Sequence, residues 1–240
     1  MAYEKRHDGR AFDATRPIVA KAGVIKKADG SGYFKIGDTA AYAAVYGPQE
    51  CHPAFMRNPK RGILRCTYNM MPFSGDGERV RPGPSRRSKE ISMVTEKALM
   101  PVLDLDAYPN AVVDVFIELP ETDAGSRCAG ISAAAIALAD AGLIMKDVVP
   151  AVSVGQVEGQ LVVDLDGAEE HMDENAAADI PVACIPSTGE ITLLQMDGIV
   201  EQDKFIKALE LVQPALLKIA EAQRNAIKER YANKEGGDAA

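Results

Sequence analysis

The sequence predicts a single α/β domain of the α+β kind, with mixed sheets and helices. Three observations point there. Strand-like runs come in groups, and each group is followed by a helical run that can return across it. No linker-like or low-complexity stretch divides the 240 residues. Hydrophobic residues make up 47% of the chain, enough to bury one large core.

The elements follow in order. "GYFKIGDTAAYAAVYGP" (32–48) reads as short strands around glycine-centred turns. "ILRCTYNMMPF" (63–73) reads as another strand. In "RRSKEISMVTEKALMPVL" (86–103), Ile91, Val94, Ala98 and Val102 recur at helical spacing, with Ser85 or the preceding Pro-Gly-Pro as the start signal. "AVVDVFIEL" (111–119) alternates, placing Val113, Val115, Ile117 and Leu119 on one strand face. The run from Cys128 is almost wholly Ala, Ile, Leu and Gly, a buried helix ending near Ala141-Gly142. Two hairpins follow, turning at Glu158-Gly159 and at Ser187-Thr188-Gly189. A long helix from about Asp203 to Ala232 carries the seam Phe205, Leu209, Val212, Leu216, Ile219, Ile227, Tyr231, interrupted by Gln223 and kinked at Pro214. Residues 1–232 thus form one domain, with 233–240 a disordered tail.

Several function classes drop out. No run of about 18 apolar residues exists, so no membrane helix is expected, and "MAYEKRHDGR" is too polar for a secretory signal. Cys51, Cys66, Cys128 and Cys184 form no CxxC pair and read as free thiols in a cytoplasmic protein. His7, His52 and His171 lack metal-ligand spacing and read as surface or loop residues. The P-loop, GxSxG and HExxH patterns are all missing.

Charge is uneven. The net charge is −8, yet residues 57–89 hold nine cations against Asp76 and Glu78. That is +7 in 33 residues, leaving −15 for the rest. A basic island on an acidic body suggests a local polyanion track, or else a solvated charged loop.

"DAGSRCAGISAAAIALADAGL" (123–143) puts Gly125, Ser126 and Arg127 at the mouth of the buried helix. Helix N-termini favour anions, and Arg127 adds a forked donor. The plainer reading makes Ser126 an N-cap and pairs Arg127 with a carboxylate. A second cluster, Asp164 to Asp179, reads mostly as a solvated acidic turn. Asp173 and Asp179 stand apart, because a carboxylate pair can hold a divalent cation or protonate a leaving oxygen. Cationic forks for an anion, with an acid or metal at the leaving oxygen, are what phosphoryl chemistry needs.

"PGPSRRSKEI", the 123–143 segment and "DENAAADIPVA" resemble, in order, three signature blocks of the RNase PH-like phosphorolytic exoribonucleases. "HDGR" and "NPKRGILRCTYNMMPF" add to the likeness, which runs from about residue 5 to 230 and is nearest to the catalytic RNase PH-like subunits of archaeal exosomes. The resemblance implies two βαβα-like halves and 3′→5′ phosphorolysis of single-stranded RNA. Inorganic phosphate is the co-substrate and nucleoside diphosphates leave; run backwards, the reaction extends 3′ ends. It also implies a hexameric ring, a trimer of heterodimers with a non-catalytic paralogue, topped by RNA-binding cap proteins. By position, Arg87, Gly125, Ser126 and Arg127 hold the phosphate and Arg86 the RNA backbone. Arg61, with Lys60 and Arg57, lies in a loop that narrows the ring's channel. Asp173 and Asp179 are the carboxylate pair, with Asp173 the favoured acid and Mg²⁺ the alternative way to stabilise the leaving oxygen. Pro181 stands where bacterial relatives place a metal-assisting lysine, which weighs against direct coordination.

Two rivals remain. A non-catalytic ring subunit would share the fold, but would be expected to lose the Arg pair, the Ser-Arg turn or the aspartates. A plain RNA-binding module would need aromatic platforms, and aromatics are 5% with no Trp.

Overall fold

The computed structural model describes residues 3, 5–75, 79–172 and 178–235, with side chains as far as 232. Two sheets carry the fold. The first has the order β1-β2-β3-β5-β4, built from β1 (Ile18–Ala22), β2 (Gly30–Ile36), β3 (Thr39–Glu50), β4 (Ile63–Met70) and β5 (Ala111–Glu121). Its pairs are antiparallel except β4 with β5, which are parallel and joined through helix α1 (Arg86–Leu99). The second is an antiparallel meander, β7-β6-β8-β9, from β6 (Ala151–Val157), β7 (Gln160–Val163), β8 (Ala178–Ile185) and β9 (Glu190–Leu194). Helix α2 (Ser126–Asp140) packs against both sheets, and one continuous cluster of buried side chains runs through both halves.

That double contact explains the composition of α2. A helix apolar all round belongs in a core, and 12 of its 15 residues are buried. Its alanines permit close approach: a Cβ on Gly32 of β2 would stand 2.3 Å from the Ala133 carbonyl oxygen. On the other flank, Gln223 of the C-terminal helix donates to the carbonyls of Ser132 and Val149, at 3.0 and 3.1 Å. The polar break in the apolar seam is therefore a buried tie to the end of α2's neighbourhood.

The elements match their local chemistry. Ser85 caps α1 in a reciprocal capping box with Ser88. Helix α1 ends at Leu99, earlier than the spacing predicts; residues Met100–Val102 tighten into a 3₁₀ turn around Pro101, which has no N–H to continue the ladder. Both hairpins turn where expected, the first on Glu158 and Gly159 with positive φ. The long terminal helix is two helices, α4 (Gln202–Leu211) and α5 (Gln213–Glu235), separated at Val212 just before Pro214. The helix backbone continues to Glu235, three residues past the expected end. Strand β1 is an edge strand absent from the sequence expectations: "IVAKA" is too short to stand out, and only its inward residues are half-buried. Between α2 and β8 a short helix, α3 (Gly167–His171), is capped by Asp166 and Glu169. The four cysteines are free and buried. Among the described residues no helix is long and apolar enough to cross a membrane.

Candidate active site

A cleft of about 1050 Å³ opens between the two halves. The first half supplies Met70, Arg87 and the turn from Thr122 to Cys128; the second supplies Glu170, Asp179 and Gln195. Of the residues expected to hold phosphate, Arg87, Gly125, Ser126 and Arg127 all line this cleft. Arg86 is exposed at the first position of α1 and is not among the cleft's lining residues. Asp179 lines the opposite wall. Asp173 lies outside the described residues.

The turn is unusual backbone. Ala124 (φ 56°) and Gly125 (φ 62°) both adopt the left-handed conformation, and Gly125, not Ser126, is the N-cap of α2. An alanine there costs about 1–2 kcal/mol, which the surroundings must offset. The Thr39 hydroxyl does so from β3: it donates to the Asp123 and Ala124 carbonyls, at 2.9 and 2.6 Å, and accepts the Asp123 N–H at 2.8 Å. Ser126 is largely buried, and it lies with the N-terminus of α2 at the edge of the cleft.

Arg127 is anchored, in part as the plainer reading expects. Its Nη1 donates to the Gln195 side-chain oxygen and lies 3.8 Å from Glu90. Gln195 in turn donates to Glu90 at 2.9 Å. Two residues, from α1 and from the segment after β9, thus fix one guanidinium at the cleft. Glu90 and Gln195 carry no signal in the sequence, since 105 residues separate them.

The acidic wall is electrostatically strained. Burial pushes the Asp179 carboxyl up to about 6, although Arg127 and Arg87 pull it back. Its backbone is held in place by two 2.9 Å bonds exchanged with Asp197. Glu170 of α3 is pushed to about 7, first by burial and then by the charge of Asp179, against His171 and Arg87. Raised carboxyls facing a cleft with cationic neighbours are candidates for proton transfer. Among the described residues the cleft does not gather three metal-ligand groups, and Arg87 and Arg127 already bias its carboxylates. Among the described residues the one cluster with ligand-like spacing, His7 with Asp166 and Glu169, lies elsewhere, and its carboxylates are engaged by arginines.

The expectation of a solvated acidic turn is corrected. Asp164, Asp166 and Glu169 are buried. Glu169 receives a bidentate fork from Arg6, at 2.8 and 2.6 Å, and the Tyr3 hydroxyl at 2.8 Å. Burial pushes its carboxyl up, but those donors outweigh burial and hold it below its ordinary value. The partners lie more than 160 residues away, so no local pattern could reveal them.

The basic island is also not one patch. Arg65, in the middle of β4, is bound by Asp114, with Nη2 at 2.7 Å. Arg57 ties back to β3 through Glu50 and the Cys51 carbonyl. Lys60 and Arg61 are exposed before β4, whereas Met70 at its far end borders the cleft. Eight strand residues put these two ends roughly 25 Å apart.

Comparison with known proteins places this geometry. The model of the 3′ exoribonuclease family RNase PH, domain 1, matches residues 14–143, and that of its domain 2 matches residues 147–212. The chain belongs to the RNase PH family. Curated RNase PH relatives agree in length as well as sequence. The exosome complex component Rrp41 of Thermococcus kodakarensis is 49% identical over 227 residues, covering 95% of this chain and 90% of its own. Rrp41 of Methanopyrus kandleri is 48% identical over 233 residues, covering 97% and 94%. Among solved structures, rice Rrp46 superposes with a TM-score of 0.82 at 23% identity, covering 93% of this chain and all of its own. A chain of the Archaeoglobus fulgidus exosome with RNA bound to the active site gives 0.77 at 23% identity, over 91% and 92%. These two show the shared RNase PH fold. The family boundary at residues 143–147 falls after α2, so the cleft is made where the two RNase PH halves meet.

Proposed function

We propose that this RNase PH-family protein is the catalytic subunit of an archaeal-type exosome, degrading single-stranded RNA from its 3′ end by phosphorolysis. One observation carries the reading: the strained anion turn with Arg87 and Arg127 faces, across a single cleft, a carboxyl pushed towards neutrality. The non-catalytic alternative keeps the fold but has no need of that opposition. Full-length identity to Rrp41 proteins supports the same assignment.

The chemistry follows from the residues. Phosphate sits on the α2 N-terminus, with Ser126 below it and Arg87 and Arg127 as charge-assisted donors. A phosphate oxygen bonds to the phosphorus of the last phosphodiester while the bond from that phosphorus to the 3′ oxygen breaks. The departing 3′ oxygen takes a proton from the Asp173/Asp179 pair and becomes a hydroxyl. A nucleoside 5′-diphosphate leaves with the RNA one unit shorter. Reversed, the same path lengthens a 3′ end. Of the pair, Asp179 has the environment of a carboxyl still partly protonated near neutrality. No step requires a metal.

Arg86 and the exposed Lys60-Arg61 loop contribute backbone contacts to RNA, and Arg57 steadies that loop. Exposed apolar side chains on and after edge strand β9, namely Ile191, Leu194 and Ile199, support burial against a non-catalytic paralogue in a hexameric ring with cap proteins. The buried free thiols support a cytoplasmic setting. The test is release of ADP from poly(A) by the chain assembled with its paralogue. Release should need added phosphate, and AMP release without phosphate would overturn the phosphorolytic reading.

A further inference from the structure

Arg16 precedes β1 and does not line the cleft, yet it bonds to Asp123 in one wall and to Asp164, the neighbour of Leu165 in the other. It is almost fully buried, at 5% exposure. Its Nε and Nη2 clasp the Asp164 carboxylate at 3.1 and 2.8 Å, and its own backbone N–H donates to the same group at 2.7 Å. Its Nη1 turns the other way and donates to the Asp123 carbonyl and, at 3.1 Å, to the Asp123 carboxylate. Asp123 then accepts the N–H of Gly167, the first residue of α3, at 2.8 Å. Arg16 Nη2 also lies 3.5 Å from the place a Cβ on Gly125 would take.

Each contacted segment is conformationally costly. Ala124 and Gly125 follow Asp123 in left-handed conformation, and Asp164 is itself left-handed, at φ 55°. One segment leads into the anion turn of the first half. The other leads through Asp166 into α3, whose Glu170 lines the opposite wall. Arg10 also reaches the Asp164 carbonyl at 3.1 Å and the Asp164 and Asp166 carboxylates at 3.4 Å, but without touching Asp123.

We propose that Arg16 is a positioning residue that fixes the separation between the phosphate turn and the α3 segment lining the opposite wall, so that the attacking phosphate and the acidic wall meet at one phosphodiester. The proposal rests on the phosphorolytic reading. The planar fork is essential to it: two ends of one rigid group address two carboxylates, which a lysine point charge does not do. A displacement of about 1 Å between reacting groups can cost about 10²-fold in rate.

The experiment uses the assembled complex carrying Arg16→Gln, Arg16→Lys or Asp123→Asn. Phosphate KM and kcat are read from nucleoside diphosphate release, and RNA affinity is measured separately without phosphate. Arg16→Gln should raise the phosphate KM and lower kcat, each about tenfold or more, with RNA affinity within about twofold. Arg16→Lys should restore thermal stability better than kinetics. Asp123→Asn, which keeps an oxygen for Gly167 but turns the acceptor facing Arg16 into an NH2, should show the same kinetic pattern more weakly and serves if Arg16→Gln does not fold. A purely structural arginine would instead reduce the active fraction, leaving the phosphate KM unchanged. Unchanged phosphate KM in Arg16→Lys and Asp123→Asn, beside a phosphate-dependent wild type, overturns the role of Arg16 alone. A wild type indifferent to phosphate overturns this proposal and the phosphorolytic reading together.

Discussion

At the residue scale, Asp179 links stability to catalysis with opposite signs. Its folded pKa of about 6 lies above the ordinary 3.8. The neutral carboxyl's contribution to stability is therefore fully present below pH 4 and lost as pH rises through 6. At pH 8 the buried charge costs the fold on the order of 1–3 kcal/mol. Asp179→Asn should melt at a higher temperature than wild type at pH 8, with the advantage vanishing below pH 4. It should also lose about 10²-fold or more in kcat, as should Asp173→Ala, with RNA binding retained. In wild type, kcat should decline above about pH 6–7 as the acid is lost; a profile flat to pH 9 would remove Asp179 from the proton path. Arg87→Ala and Arg127→Ala should each raise the phosphate KM, because each deletes a charge-assisted donor. The cations of this site were legible, since Arg87 and Gly125-Ser126-Arg127 sit in local helix-start patterns. The buried carboxylates Asp164, Asp166 and Glu169 were not. Acidic runs are usually solvated, and what makes these different, Arg6, Arg10 and Arg16, lies near the other end of the chain.

At the scale of elements, periodicity and turn chemistry announced most of the fold, because each such signal is complete within a dozen residues. The Ser85 capping box and the Glu158-Gly159 turn are examples. Strand β1 and helix α3 were invisible for the converse reason: five residues each is too short for a period to register, and long-range pairing defines them. The N-terminal segment is fastened by the Arg6–Glu169 fork rather than by secondary structure. Arg6→Ala should cost about 3–5 kcal/mol in denaturant unfolding, because it strands a buried carboxylate. A loss under about 1 kcal/mol would mean that Glu169 finds water or protonates. The loop before β4 makes a contrasting prediction. Arg61→Glu should weaken binding and slow decay of long RNA, with a shallower salt dependence, and leave the shortest substrates untouched. Equal losses at both lengths would place the defect in folding or in the cleft instead.

At the scale of the whole molecule, α2 decides how the halves behave. Buried against both sheets, it belongs to neither alone. We therefore expect residues 1–232 to unfold in one transition, coincident by far-UV and near-UV signals, despite the two family segments. Two separated transitions would show that the halves fold independently. Assembly belongs to this scale too. The isolated chain should be poorly active and gain activity with its paralogue, whereas full processive activity from a monomer in size-exclusion fractions would contradict the ring. The sequence could suggest a partner only through resemblance, because exposed side chains such as Ile199 become meaningful once the fold shows them unpacked.

If the loop before β4 grips RNA as proposed, strand β4 is also a measuring rod. One of its ends carries the cationic loop and the other borders the cleft, roughly 25 Å away. A substrate gripped at both stations is held while it is eaten from one end. Once the remaining chain is shorter than the rod, the distant grip lets go, although the chemistry at the cleft is unchanged. Digestion should thus change pace at a length written into the protein as eight residues of strand, leaving a ladder of short remnants whose upper limit does not depend on the sequence of the RNA.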